Sequence, residues 1–530
     1  LSLSLSLSLS TVIFILPQFF FKELTSYFHE AHMGGRKREK ACFKEGSRVL
    51  SLLVLIACSC WSIFILLQIF NLSPNSPTLQ ENPISLKHRA INDDVGGPSL
   101  RREVTRLVPG EESEPTKQRD SRRHRETFQT KLGAPIHCDR SHELYDICSV
   151  NGPTVLDPAT STFYVMGPAH SPTVEKVKPY PRKFEAQLMS RIREVLIVSG
   201  PKSSQCQAQH EAPALVFSAG GYTGNFFHEF NEGFIPLFVT VNTIFQDQDI
   251  IIVVSEAPDW WLVRYQDLLK AFTKFPIIVL QNVTNVTTHC FPSGTIGLIT
   301  HGSMSIDQNL LPNAKTIHHF RGLLDRAFSQ NFTFNFNRKS ALPKPRRPRL
   351  VFIGRSDGNG RAISNQDEVV KAIEGVGFHV VVLEPIGTEW LCESYALLSE
   401  SHAMVGVHGA ALTHLLFLRP GSIFVQVVPL GIDWAAEEYF GSVGRELKLD
   451  YFEYKIGMHE SSLLETYGEG NALLRNARSL QKGWPADVMD IYLRKQNVKI
   501  DIVRFRSYMK KAYVKARKFM RKSPKRNYIF

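Results

Sequence analysis

Between residues 350 and 428 one pattern repeats: a short apolar run that reads as a buried strand, then a stretch with helical spacing. No other feature narrows the fold as much. The strands are Leu350–Gly354, His379–Leu383, Ala403–Val407 and Ile423–Val428. One helix opens at Asn365-x-x-Glu368, which has the form of a capping box, and a second runs from about Glu389 to Ser399. The third follows Val407 and stops at Arg419-Pro420-Gly421, as proline and glycine require. Four strands alternating with three helices call for a parallel sheet covered on both faces, and the ligands of such sheets bind beyond the carboxyl ends of the strands.

The turn at that edge, Val405-Gly-Val-His-Gly-Ala-Ala-Leu-Thr-His414, has the makings of an anion site. Free backbone N–H groups and the positive end of a helix dipole converge there, and Gly409, Ala410 and Ala411 leave room for close approach. Thr413 and His414 follow on the first turn of the helix. Neighbouring loops carry Arg355, Arg361, Glu384, Asp433 and Trp434 beside His408. Two guanidinium forks match the oxygens of a diphosphate. Plain packing accounts for the same residues, with glycine serving a tight turn and His414 half-buried, so the turn alone leaves both readings open.

A second α/β region spans about 213 to 336, with strands at Ala214–Phe217, Ile250–Val254 and Pro276–Leu280 and a helix from about Asn225 to Ile244. At its start stands Gly224-Asn-Phe-Phe-His-Glu-Phe-Asn-Glu232. His228 and Glu232 are four apart and share a helix face, which lets the carboxylate orient an imidazole that accepts a proton. An ordinary acidic helix start with one structural histidine fits the same letters.

With 530 residues, 43% of them hydrophobic and 11% aromatic, the chain has material for two or three domains with sizeable cores. Its formal charge of +12 favours anionic partners without choosing among nucleic acid, lipid, nucleotide-sugar and acidic glycan. Residues 1–32, which open on repeated Leu-Ser pairs and precede Met33, read as an untranslated leader. Val49–Phe70 is free of charge and long enough as a helix for the roughly 30 Å hydrocarbon core of a bilayer. The basic residues of 33–48 keep that tail cytosolic and send the rest across. Residues 71–135 are poor in aromatics and rich in Pro, Glu, Arg, Lys and Ser, the composition of a disordered stem. Of eight cysteines, Cys138, Cys148, Cys206, Cys290 and Cys392 follow the span, an odd number, so at least one lacks a partner among the other four. Cys138 and Cys148 are close enough to staple a local loop. Asn282, Asn285 and Asn331 head N-glycosylation sequons on the far side of the membrane.

Several of these segments together resemble glycosyltransferase family 61, and within it the plant xylan arabinosyl- and xylosyltransferases. They are Gly224–His228 with Glu232, Thr288-His-Cys-Phe-Pro292, Arg355 with Arg361 and Asn365, the Val405–His414 turn, and Val427-Val-Pro-Leu-Gly-Ile-Asp-Trp434. The resemblance covers most of the chain after about Cys138. It implies a Golgi type II membrane enzyme of two facing Rossmann-like α/β domains, the GT-B arrangement, inverting at the anomeric carbon and needing no cofactor or essential metal. An acceptor-side domain is expected at 136–340, a nucleotide-sugar-binding domain at 341–480, and a basic helix and tail at 481–530. In this family the loop after Leu350–Gly354 is usually shorter; here Gly354-Arg-Ser-Asp-Gly-Asn-Gly-Arg361 is long and rich in glycine, so Arg355 carries over more firmly than Arg361.

His228, backed by Glu232, is then the expected base. Arg355, Arg361, Asn365, Glu384, His408, Gly409, Ala410, Thr413, His414, Asp433 and Trp434 are expected around the donor. The partners implied are a UDP-pentose, a polysaccharide or glycan acceptor and the Golgi membrane through 49–70, with no nucleic acid. Three other classes fit parts of the sequence. They are a metallohydrolase using His228-Glu-Phe-Asn-Glu232, which lacks the zincins' final histidine, a metal-dependent transferase using Asp247 and Asp249, and a non-catalytic glycan-binding protein.

Overall fold

A computed structural model describes residues 135–165, 173–200, 205–280, 287–335, 346–355, 360–385, 391–477 and 486–522, all within one compact unit. It is a mixed α/β structure with three sheets. The expected leader, cytosolic tail, span and nearly all of the stem lie outside the described residues, as do Asn282 and Asn285. Among the described residues no helix is long and apolar enough to cross a membrane.

The C-terminal sheet has five strands, all parallel, in the order His379–Leu383, Arg349–Ile353, Ala403–Val407, Ile423–Val428, Asp450–Lys455. Its three middle strands are wholly buried and, Arg349 and Gln426 apart, apolar, which follows from helices lying on both faces. The fifth strand escaped sequence reading because Asp-Tyr-Phe-Glu-Tyr-Lys alternates charge and aromatic and lies half-buried at the edge. In chain order the strands run second, first, third, fourth, fifth. The connection therefore reverses between Arg349–Ile353 and Ala403–Val407, and that switch point is where open α/β sheets hold ligands.

Beneath the sheet lies the basic helix Ile502–Lys522. Phe505, Met509, Ala512 and Ala516, spaced by four, three and four, form a fully buried stripe in the core shared with the strands. The positive charge of this segment is the solvent face of a core helix. Just before it, Gln496–Ile500 runs beside residues 361–365, with a bridge from Val498 to Ile363. Asn365 takes part in that pairing and does not cap the helix Gln366–Val376. Its Oδ1 accepts the Ile500 N–H at 2.9 Å, and its Nδ2 donates to the Ile500 carbonyl at 2.9 Å and to Glu368 at 3.3 Å. The expected capping box is thus a clamp between two chain segments.

The N-terminal half holds two six-stranded sheets. In the first, Gly294–Ile296, Ala214–Phe217, Ile251–Val254 and Ile278–Val279 are parallel, and Ile147–Val150 and Ile136–Asp139 add antiparallel at one side. The second sheet, with strands between Thr154 and Phe291, is mixed, and the two share one core that includes Phe163, Val216, Ile251 and Phe291. Disulfides join Cys138 to Cys148 across a strand pair and Cys206 to Cys290. The first is the expected local staple. The strands of 136–199 went unread because they are four or five residues long and belong to sheets assembled from distant segments.

Candidate active site

Two clusters stand out, each at the carboxyl ends of parallel strands. The first is built on the helix that starts at Phe226. Asn225 caps it, its side chain accepting the Phe227 N–H at 3.1 Å. From Glu229 to Phe234 the helix widens into a π turn before returning to α at Ile235. Pro236 supplies a cause, because it has no N–H to give and its ring would strike the carbonyl of residue 232 in a regular α-helix. Such π turns are frequent at functional sites.

Here His228 Nδ1 lies 2.9 Å from Glu232 Oε2, so the pairing read from the sequence is formed. Glu232 is almost completely buried. Its other oxygen accepts from Arg182 Nε at 2.9 Å and from Asn231 Nδ2 at 2.6 Å. With Glu232 ionised, Nδ1 is the protonated nitrogen and Nε2 is free to accept a proton. The ring stacks on Tyr222 at 4.2 Å, and the Tyr222 hydroxyl donates to Glu185 at 2.7 Å, the carboxylate that also pairs with Arg182. Arg182, Glu185 and Tyr222 complete the cluster. None was foreseen, since an isolated Arg in Pro-Tyr-Pro-Arg-Lys-Phe-Glu carries no local signal and reaches Glu232 only through the fold.

Next to His228, Glu229 is also buried. Its carboxylate accepts the Gly224 N–H at 2.8 Å and the Trp261 indole N–H. Burial pushes its pKa up to about 7, with Glu232 adding to the rise, against the lowering effect of those two donors and Arg264.

The second cluster occupies the switch point of the C-terminal sheet. His408 directly follows the strand Ala403–Val407 and is buried. Gln426 Nε2 donates to His408 Nδ1 at 2.9 Å while Gln426 Oε1 accepts from Tyr451 at 2.6 Å, which leaves the imidazole as the Nε2–H tautomer. Burial above all, then Arg361 and Arg355, hold its pKa well below the ordinary value. His408 thus offers a neutral donor. Gln426, the one polar residue in Ile423-Phe-Val-Gln-Val-Val428, was the sequence signal for this pairing.

Arg361 Nη1 donates to the His408 carbonyl at 3.1 Å. Its backbone is held at φ 61° through an N–H bond to the Gln496 carbonyl. The side chain is partly buried, its Nε is sealed from solvent without a hydrogen-bond partner, and Arg361 has no carboxylate partner among the described residues. Burial, with Arg355 adding to it, pushes its pKa down to about 9. Arg355 Nε donates to the Gly360 carbonyl at 2.6 Å. A Cβ on Gly409 would lie 2.5 Å from Arg355 Nη1, so glycine is what lets this guanidinium reach the turn.

The remaining expected residues divide. Ala410 begins the helix after the turn, which is 3₁₀ over Ala410–Phe417 and not α. Thr413 and His414 lie in the core, His414 with Nδ1 2.7 Å from the Ala411 carbonyl and its ring 4.4 Å from Phe226. Both are placed by packing. Glu384 is exposed and its side chain lies over Gly354. Asp433 pairs with Lys455 at 3.0 Å, and the Trp434 ring lies 5.7 Å from Tyr439. Asn365 is the clamp described above. Asn331 falls in the helix Ile317–Asn335.

Aromatic packing joins the clusters. Phe227, adjacent to His228, lies 5.1 Å from Tyr439 and 5.7 Å from Phe440, and the His408 ring lies 5.3 Å from Phe440. Tyr439 is raised to about 12 by burial first, then Glu438, with Arg182, Glu232 and Glu185 all acting on it. His228 with its carboxylate therefore faces, across two aromatic rings, a turn flanked by Arg355 and Arg361.

The chain as a whole has relatives among known proteins. Residues 225–425 match the family model described as Glycosyltransferase 61. The chain is 38% identical to the xylan glycosyltransferase MUCI21 of Arabidopsis thaliana, over 72% of this chain and 80% of that protein. It is 30% identical to the beta-1,2-xylosyltransferase XYXT1 of Oryza sativa subsp. japonica, over 79% of this chain and 92% of that one. Against the alpha-1,3-arabinosyltransferase XAT2 of the same rice it is 32% identical, over 70% and 62%. The chain belongs to the glycosyltransferase 61 family, and it is a glycosyltransferase.

Proposed function

We propose that this enzyme transfers a pentose, arabinofuranose or xylose, from a UDP-sugar to xylan of the cell wall, inverting the anomeric centre. The observation that carries the donor site is Arg361, a partly buried guanidinium at the sheet's switch point with an unpartnered Nε beside a glycine turn. A charge so placed is costly until an anion arrives. A diphosphate offers oxygens to both arginines, to the turn's N–H groups and to His408 Nε2–H. The acceptor and the pentose are inferred from the relatives, which include a xylan glycosyltransferase, an arabinosyltransferase and a xylosyltransferase.

In the reaction, an acceptor hydroxyl gives its proton to His228 Nε2 as its oxygen bonds to the anomeric carbon. The bond from that carbon to the diphosphate breaks, and its electron pair leaves with UDP. Glu232 holds the imidazole in the accepting tautomer and stabilises the imidazolium. Arg355 and Arg361 take up the charge that grows on the leaving group, a role a divalent ion serves in metal-dependent transferases, so the proposal includes turnover without added metal. It also includes the GT-B arrangement of two facing Rossmann-like halves, supported by the parallel strands of the two sheets that bear the clusters. Residues 49–70 are proposed as the anchor of a type II Golgi protein. Asn282, Asn285 and Asn331 are proposed as lumenal glycosylation sites.

The test is incubation of the purified full chain with a panel of UDP-pentoses and xylo-oligosaccharides, with and without EDTA. A pentosyl product of inverted configuration, formed equally with the chelator, is expected. Absence of any pentosyl product across the panel refutes the substrate assignment, and loss of product with EDTA alone refutes metal independence.

A further inference from the structure

We propose a subsite for a neutral sugar unit of the acceptor, remote from the hydroxyl that reacts, in the cavity between the loops after Ala214–Phe217 and Ile251–Val254; it rests on the transferase reading above. The cavity measures about 330 Å³ and is lined by Arg191, Gly220, Gly221, Thr223, Glu256 and Pro258. That volume falls in the range of roughly 300–1,000 Å³ found for small-ligand sites. Its two loops leave the carboxyl ends of adjacent parallel strands, the place where open α/β sheets bind ligands. They are tied together by the Ala219 N–H on the Glu256 carbonyl at 2.9 Å.

Position and charge decide the ligand. Gly220 and Thr223 also line the narrow crevice that reaches Tyr222 and His228, so the cavity lies one loop away from the base and on the same half of the molecule. The donor cradle belongs to the other sheet. One arginine and one carboxylate face the cavity, and a nucleotide phosphate would meet Glu256 as a like charge. A neutral sugar ring instead offers hydroxyls that donate to the carboxylate and accept from the guanidinium. Gly220 keeps that carboxylate accessible, since a Cβ there would lie 3.1 Å from Glu256 Oε2. Among the described residues the Glu256 side chain accepts one long hydrogen bond, from the Arg193 N–H at 3.4 Å. A glycine floor and a wall with spare hydrogen-bonding capacity make a binding surface for an oligosaccharide that extends past the base.

Steady-state kinetics with xylobiose and xylohexaose as acceptors tests this in wild type, Glu256→Gln and Arg191→Ala. Wild type should show a lower KM for the longer acceptor, and each variant should lose that gain, with the KM for xylohexaose rising about threefold to tenfold, the size of one hydrogen bond. The KM for UDP-sugar should stay as in wild type. Arg191 is exposed and Glu256→Gln keeps the side chain's shape, so folding is not at stake. A KM for xylohexaose that does not change, a rise of equal size for xylobiose, or a changed UDP-sugar KM each overturns the subsite. Should wild type transfer nothing, the substrate reading falls, and calorimetric titration of xylohexaose still decides the cavity. Weaker binding in Glu256→Gln upholds it, and equal or absent binding in both proteins refutes it.

Discussion

The two clusters of this enzyme treat charge in opposite ways. Around His228 the charged groups are tied together, with Glu232 between the imidazole and Arg182, and Arg182 shared with Glu185. Around His408 the described groups are two guanidinium groups and a neutral imidazole, and Arg361 has no carboxylate among the described residues. A proton-transfer site must hold its geometry before substrate arrives, so its charged groups are tied to one another within the protein. A site for a charged leaving group gains from a cation such as Arg361 that no carboxylate among the described residues cancels, because preorganised donors then act on the charge that develops.

The largest expected effect is on the His228 side. His228→Ala should lower kcat by about 100- to 10,000-fold, the usual worth of a general base, while UDP affinity measured by calorimetry stays near wild type. Near-normal turnover would break the comparison at its first member. Arg361→Ala should do the reverse, weakening UDP by about 10- to 150-fold, as loss of a hydrogen bond to a charged group does. With UDP absent, Arg361→Met should raise Tm by about 2 °C, because the variant removes a desolvated charge that nothing balances. A lower Tm would show that the charge is compensated after all.

Acidity separates the two sides as well. Glu229 has its folded pKa raised from 4.5 to about 7, so the stability linked to it is complete below the unfolded value and is lost as pH rises through about 7. Denaturant unfolding should find wild type roughly 3 kcal/mol less stable at about pH 8 than at about pH 5 from this group, and Glu229→Gln should flatten that slope. A slope that persists in the variant assigns the pH dependence elsewhere. The smallest effect expected is for Gly409→Ala, whose methyl would displace Arg355 Nη1. UDP affinity should fall about threefold, within the worth of one displaced hydrogen bond, with kcat on bound donor retained.

Much of the C-terminal half was legible. Strands buried on both faces read as continuous apolar runs, and the strand-turn-helix at residues 403–417 announces its own ligand edge. His228 and Glu232 were legible for the same reason, since a contact four residues apart on a helix needs no tertiary information. The antiparallel additions to the N-terminal sheets were not, because they pair Ile147–Val150 with Gly294–Ile296 and Thr154–Phe291 segments far apart in the chain. Asn365 shows how local reading goes wrong. Its spacing to Glu368 is that of a capping box, but Ile500 competes for the same side chain and wins with two hydrogen bonds.

By itself the sequence determined the parallel C-terminal sheet, the turn at Gly409, the pairing of His228 with Glu232, the local disulfide and the family. All of these depend on spacings of a few residues or on runs whose burial is written in their composition. Tertiary structure alone brought in Arg182 and decided how Arg361, already named in the sequence, is held. Arg182 reaches Glu232 across 50 positions, and Arg361 is fixed by Gln496, in a segment that read as a basic tail. The reason is physical: a buried charge takes its partner from whatever the fold brings within hydrogen-bond distance, and no periodicity along the chain encodes that meeting.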